Sequence, residues 1–445
     1  MSDQSPKPTG VLSVSIIALD RPGSGRRAPI SRATDRRITF GGLVVAVAFA
    51  ALGVASLALP IGIRLGTWLP MHLALAGAAT TAIVAVLPFF TTALAGTPPA
   101  HPWIRSLAIV LVAGGAAAVL TAYGHPAGLG VLAVPAGSAF IGGLGLGAVA
   151  ALAPLRSPLA RHWRLLEVAY AIALVDVALG AGLATLLVTG QPDVVAGWAN
   201  LKPAHAWINL FGFLSLTIVA TLAHLAPTIA GSRIRRRRSI GLAIGSLAVG
   251  PPAIALAHVV GWDLVARIGG AVVAGGGLAL AVHGWEVHRD RGRWTSERDW
   301  HRLTGLSVLA GTGWFAIAAL VAGGRAIMLG IDPGAWTITP LLAPLVVGFV
   351  AQTLIGAGSH LLPSIGPGDT DRHAHQRAIL ATFSMPRVAI LNLACALSLL
   401  GVVTASPAIG SLGGGLIVAS LASAIVLFGW AALPGGSVSG AHPRR

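Results

Sequence analysis

Cysteine occurs once, at Cys395, so the chain has no intramolecular disulfide and no thiolate cluster. Charge is scarce as well. Asp, Glu, Lys and Arg together make up 10% of the residues, against about a quarter in a soluble domain. Alternation of polar and apolar residues is missing, because the apolar residues fall in continuous runs, and this excludes a membrane β-barrel. Residues 1–38 lack the short apolar core and cleavage site of a secretory signal peptide. They are polar and rich in Arg, Ser, Pro and Gly, the composition of a disordered tail.

Apolar length is what the chain has in quantity. Hydrophobic residues make up 55% of it and the mean hydropathy is +0.80. The runs are about 20 residues long, enough to cross a bilayer as helix. The sequence therefore predicts an all-α integral membrane protein. Twelve spans can be counted, at roughly 39–61, 69–95, 103–123, 127–153, 163–189, 204–231, 239–260, 262–284, 302–329, 337–365, 386–405 and 409–433. Residues 39–433 then form one transmembrane domain, followed by a tail at 434–445.

The formal net charge of +16 could suggest a nucleic-acid partner, but its distribution points to the lipid bilayer instead. Arg26, Arg27, Arg32, Arg36 and Arg37 precede span one. Further basic clusters follow spans four, six, eight and ten, among them Arg156, Arg235, Arg289 and Arg372, and Arg444 and Arg445 close the chain. The other loops are nearly uncharged or acidic. By the positive-inside rule both termini are cytoplasmic and the protein lies in the plasma membrane.

One stretch recurs. From Gly212 the chain reads GFLSLTIVATLAHLAPTIAG, from Gly77 GAATTAIVAVLPFFTTALAG, and from Gly348 GFVAQTLIGAGSHLLPSIGP. The glycines are 135 and 136 residues apart. A weaker echo follows one helix later at Arg105, Arg238 and Arg387. Spans two, six and ten thus correspond, and the repeat unit is four spans: about 39–153, 163–284 and 302–433. Four is an even number, so the repeats share one orientation and imply pseudo-threefold symmetry about the membrane normal. Many secondary transporters use inverted repeats instead.

Ionisable side chains within a membrane default to functional hypotheses. His72 and His205 each follow a proline closely at the outer start of equivalent spans, and His125 and His258 lie at similar depth. Imidazole suits axial ligation of haem iron or copper, so His72 and His205 are candidate cofactor ligands. The plain alternative is a pair of interfacial histidines satisfied by water and loop carbonyls. His224 and His360 occupy matching inner positions and are candidate metal ligands, with helix-end packing as the alternative. His101 and His283 lie close by. His205 and His224 are 19 residues apart, roughly 28 Å along a helix, and cannot share one metal. Asp176, near the middle of span five, is a candidate proton-relay group. At that depth it is expected to be protonated or paired, for instance with Arg267. Asn209, Gln352 and Asn392 read as interhelical glue. His373 and His375 fall in a polar loop, and Trp68, Trp103, Trp207, Trp262, Trp300 and Trp336 read as interface anchors.

These residues carry a resemblance. Three four-helix repeats with histidines at the outer starts of spans two and six resemble the fold of haem-copper oxidase subunit I. The local sequence is closer to two relatives. One is the NnrS family of twelve-span haem- and copper-containing proteins linked to nitric oxide. The other is the actinobacterial membrane module that often precedes a copper nitrite reductase or multicopper oxidase domain. The resembling stretches are Trp68-Leu69-Pro70-Met71-His72-Leu73, His205-Ala206-Trp207-Ile208-Asn209-Leu210-Phe211-Gly212-Phe213, and Gly348-Phe349-Val350-Ala351-Gln352.

The resemblance implies haem and/or copper as cofactor, a role in nitrite or nitric-oxide metabolism or electron transfer, and a separate copper oxidase or nitrite reductase as partner. Departures from the oxidase pattern argue against oxygen reduction. Span seven offers only His258, the outer half of span ten has no histidine, and the only tyrosines are Tyr123 and Tyr170. The actinobacterial module carries histidine where Phe89 stands here. The alternative expectations are a small-molecule or metal-ion transporter, or a non-catalytic membrane scaffold for a copper enzyme.

Overall fold

The computed structural model describes residues 32–123, 129–157, 160, 163–235, 237–292, 300–365 and 369–433. His125, residues 1–31 of the expected N-terminal tail and the tail at 434–445 lie outside these. The described residues are helical, with no strand among them, and include twelve helices long and apolar enough to cross a membrane. The spans run 33–56, 68–95, 102–122, 130–155, 164–189, 198–230, 238–260, 263–289, 301–329, 333–365, 384–403 and 407–432. The protein is a multi-pass membrane protein.

Two boundaries differ from expectation for a physical reason. Helix begins at Arg32, inside the stretch read as tail, because Asp35 is buried and ion-pairs with Arg105 of span three. Arg105 also donates to Thr39 Oγ1 (2.9 Å), the Asp35 carbonyl (3.3 Å) and the Ala85 carbonyl (2.7 Å). A polar residue at a helix start is thus drawn into the core by a cation 70 residues away. His373 and His375 lie on a helix, Thr370–Ala381, rather than in a loop. Asp369 caps it by accepting from the Arg372 amide (3.0 Å).

Spans two, six and ten are the most enclosed. Their central windows are 56%, 78% and 56% buried, whereas spans eleven and twelve reach only 22% and 11%. Span six packs against spans five, seven, eight and nine, and span one meets span twelve. The same three spans share a backbone irregularity. Each begins as α-helix, passes through a π-helical segment at Leu73–Ala79, Ile208–Ser215 or Leu342–Ala351, and returns to α-helix. A π-helix is rare and is commonly found at functional sites. In the first two, a hydroxyl three residues past the glycine caps a carbonyl that the widened turn frees. Thr80 Oγ1 donates to the Leu75 carbonyl (2.9 Å) and Ser215 Oγ to the Leu210 carbonyl (2.7 Å). Spans two and six both end on a glycine at positive φ, Gly96 and Gly231, where the left-handed C-cap suits a residue without Cβ.

Each glycine inside a π-helical segment faces one side chain of the preceding span at a separation that leaves no room for a methyl group. Phe49 covers Gly77, Asp176 covers Gly212 and Trp314 covers Gly348. Close approach through small residues is how membrane helices gain packing energy.

Candidate functional site

His72 and His205 come together. Their ring planes are 8° from parallel and their centroids are 6.4 Å apart. Each is the last turn of ordinary α-helix before a π-helical segment, so the backbone irregularity sits directly beneath the pair. Span two brings its histidine from a helix packed on span one, and span six from a helix packed on spans five and seven.

Both rings are held by one nitrogen. His72 Nδ1 donates to the Trp68 carbonyl (2.7 Å), and His205 Nδ1 to the Gly180 carbonyl of span five (3.0 Å). A carbonyl only accepts, so the Nδ1 atoms carry the protons and the Nε2 lone pairs are left available. Neither Nε2 has a hydrogen-bond partner among the described residues. Anchoring one nitrogen to orient the other is the usual support of a metal-binding histidine.

Asn209 steadies the second ring: its Nδ2 donates to the His205 carbonyl (2.7 Å) and lies 3.1 Å from Nδ1. The Asn209 side chain rests on Gly180, where a Cβ would displace it. Trp68 stacks on His72 at 4.4 Å, and Tyr123 packs on Trp68 at 4.2 Å.

The near-parallel planes and the 6.4 Å separation place two imidazoles side by side, each with its Nδ1 engaged. No group of three or more His, Cys, Asp or Glu side chains gathers among the described residues, so this donor set is a two-imidazole one.

Asp176 is buried, and its Oδ2 has no hydrogen-bond partner. Arg267 is not its partner. That guanidinium is committed to Asp263 (2.6 Å) and to the Ile327 and Met328 carbonyls (2.7 and 2.9 Å). Asp176 lies one turn before Gly180 on span five, and faces Gly212, seven residues after His205 on span six. Further along the same pair of spans, Tyr170 and Thr221 hydroxyls bond each other at 3.0 Å. His224 follows, edge-on to Trp163 (5.1 Å) and Phe90 (5.8 Å), with Nδ1 buried and without a partner. The interface of spans five and six therefore carries polar groups along much of its length.

His224 and His360 have different surroundings. His360 lies within electrostatic reach of His301 on span nine, while the ring neighbours of His224 are Trp163 and Phe90. His258 and His283 are buried in spans seven and eight.

Three expectations change. Trp68 supports His72 rather than only marking a membrane interface. Trp207 is 3% exposed and packs on Phe211 and Trp336, so it is a core residue, whereas Trp103 and Trp262 are both 56% exposed as interface anchors are. Of the three amides read as glue, Asn392 does join helices by accepting from Trp314 Nε1 (2.7 Å), but Asn209 serves His205 and Gln352 makes no hydrogen bond. A tryptophan four residues before a histidine on one helix was the available signal for Trp68.

Among known proteins, no family model matches the chain, and no curated protein matches it with significance.

Proposed function

We propose that His72 and His205 would hold one haem, that the protein moves electrons within the membrane, and that Asp176 carries the accompanying proton. The observation that carries this reading is the pair of parallel imidazoles 6.4 Å apart, each anchored through Nδ1. The resemblance to the NnrS family and to haem-copper oxidase subunit I adds to it, as does the pairing of spans two and six across three four-span repeats with pseudo-threefold symmetry. Bound there, a haem would supply one-electron chemistry.

The chain's own residues do the rest. Trp68 and Gly180 hold the ring orientations, and Asn209 keeps His205 from turning. Electron delivery to a separate copper oxidase or nitrite reductase would be the role of the protein in this reading. Copper, which the same two residues would hold, is the variant of this reading. His224 and His360 would belong to a second metal site of the same system.

A second reading is favoured by one observation, the buried unpaired Asp176 against the π-helical part of span six. A carboxylate beside an irregular helix is an arrangement suited to a transporter of a small molecule or metal ion.

Optical spectra of detergent-purified protein, oxidised and dithionite-reduced, with parallel iron and copper analysis, separate the two. The haem reading expects a Soret band that shifts on reduction and is lost in His72→Ala and in His205→Ala. Colourless protein from haem-replete, copper-supplied cells, with neither metal near stoichiometry, overturns it. Uptake into liposomes would then distinguish a transporter from a non-catalytic scaffold.

A further inference from the structure

Among spans nine, ten, eleven and twelve lies a cavity of about 20 Å³ with four polar side chains in its wall: Ser307, Gln352, Arg387 and Ser420. Three observations there need a common cause. Gln352 is 1% exposed, and neither atom of its amide has a hydrogen-bond partner. Arg387 is partly buried within a span, and no carboxylate pairs with it among the described residues. Only its Nη1 is engaged, donating to the Leu380 and Thr382 carbonyls (2.9 and 3.4 Å). The wall offers a guanidinium, an amide and two hydroxyls, a set dominated by donors.

The first four spans show what is missing. Arg105, the sequence counterpart of Arg387, has Asp35 as its counter-ion. Gly42 faces Ala85 there, and Ser307 faces Gly356 here; Ala85 and Gly356 both stand eight residues past their motif glycine. Seven residues before Gly42 is Asp35, and seven before Ser307 is Trp300. Where Asp35 stands in span one, span nine carries Trp300, and no carboxylate occurs among the described residues of span nine. A partly buried cation at a span end, without a counter-charge among the described residues, is costly.

We propose that this cavity binds a small monovalent inorganic anion of about chloride size, with Arg387 as counter-ion and Gln352, Ser307 and Ser420 as donors. The volume fits one such ion or one water molecule and excludes a phosphate group. The site lies at the end of the bundle where span one begins, away from His72 and His205, and does not depend on the haem reading.

The test is thermal unfolding of the full-length protein in detergent, in sodium chloride, bromide, nitrate or gluconate at equal ionic strength. Chloride and bromide should raise the midpoint by about 3 °C over gluconate, which is too large to enter. Nitrate should have an intermediate or absent effect. Arg387→Gln should abolish the difference between anions. Ser307→Asp, which places a carboxylate beside Arg387, should abolish it too while keeping the midpoint high in gluconate. Equal wild-type midpoints in all four salts would mean that the cavity holds only water and would overturn the proposal. Persistence of the chloride effect in Ser307→Asp would overturn it as well, even if Arg387→Gln fails to fold.

Discussion

Asp176 of span five faces Gly212 of span six at the place where Phe49 faces Gly77 and Trp314 faces Gly348. Two of three equivalent contacts are filled by an aromatic ring, and the third by a carboxyl group whose Oδ2 has no partner. Packing alone does not call for an acid there. This difference is the observation on which the proton role proposed for Asp176 rests.

Replacing Asp176 by leucine should therefore leave stability unchanged or improve it, since an unsatisfied buried polar group gives way to an apolar one. Proton-coupled electron transfer or uptake should fall at least tenfold. Chemical denaturation alongside an activity assay checks both. A stability loss above about 2 kcal/mol would make Asp176 a structural residue after all.

Gly348→Ala should cost about 1–3 kcal/mol, because the new methyl meets the rigid ring of Trp314. Gly212→Ala should cost less, since the Asp176 carboxyl can rotate away. Gly114→Ala, where nothing lies within 4 Å, should be neutral or slightly stabilising. The ranking, measured by thermal unfolding in detergent, is the prediction.

The Arg105–Asp35 pair should behave as a unit. Asp35→Asn or Arg105→Met alone should destabilise by about 3–5 kcal/mol, because each leaves a buried group without its partner. The double variant Asp35→Leu with Arg105→Met should recover much of that loss. A double-mutant cycle measures the coupling.

Outside the spans, hydrogen bonds from Arg237 (2.9 Å) and Arg289 (3.3 Å) hold the Asp290 carboxyl below its usual range. A lowered folded-state value means that the contribution is fully present above about pH 4, the unfolded value, and fades as pH falls through the folded one. The gap in melting temperature between wild type and Asp290→Asn should thus be constant from pH 7 to pH 5 and close only below about pH 4.

Much of the fold could be read from run length alone, because a bilayer demands about 20 apolar residues per crossing and the twelve runs meet that demand. The motif glycines were visible as a period, and His72 and His205 were visible as histidines at the outer starts of corresponding spans two and six. Other features depend on distant partners. Asp35 looked like tail because the cation that buries it is 70 residues away. Trp207 looked like an anchor because Trp336, which covers it, belongs to span ten. Nothing in the apolar pattern separates π-helix from α-helix, although Thr80 and Ser215, three residues past their glycines, were a usable local sign.

The π-helical segment of span six also acts as a phase shift. One extra residue in a turn rotates everything before it by about 100° relative to everything after it. His205 lies on one side of that shift, and Thr221 and His224 on the other. The helix face from which His205 meets His72 is therefore set by a residue count, and the contacts with Gly180 and Asn209 then fix the ring on that face. Deleting a single residue within 208–215 would restore a regular helix. The inner half would keep its packing while the histidine swung to another face of the bundle.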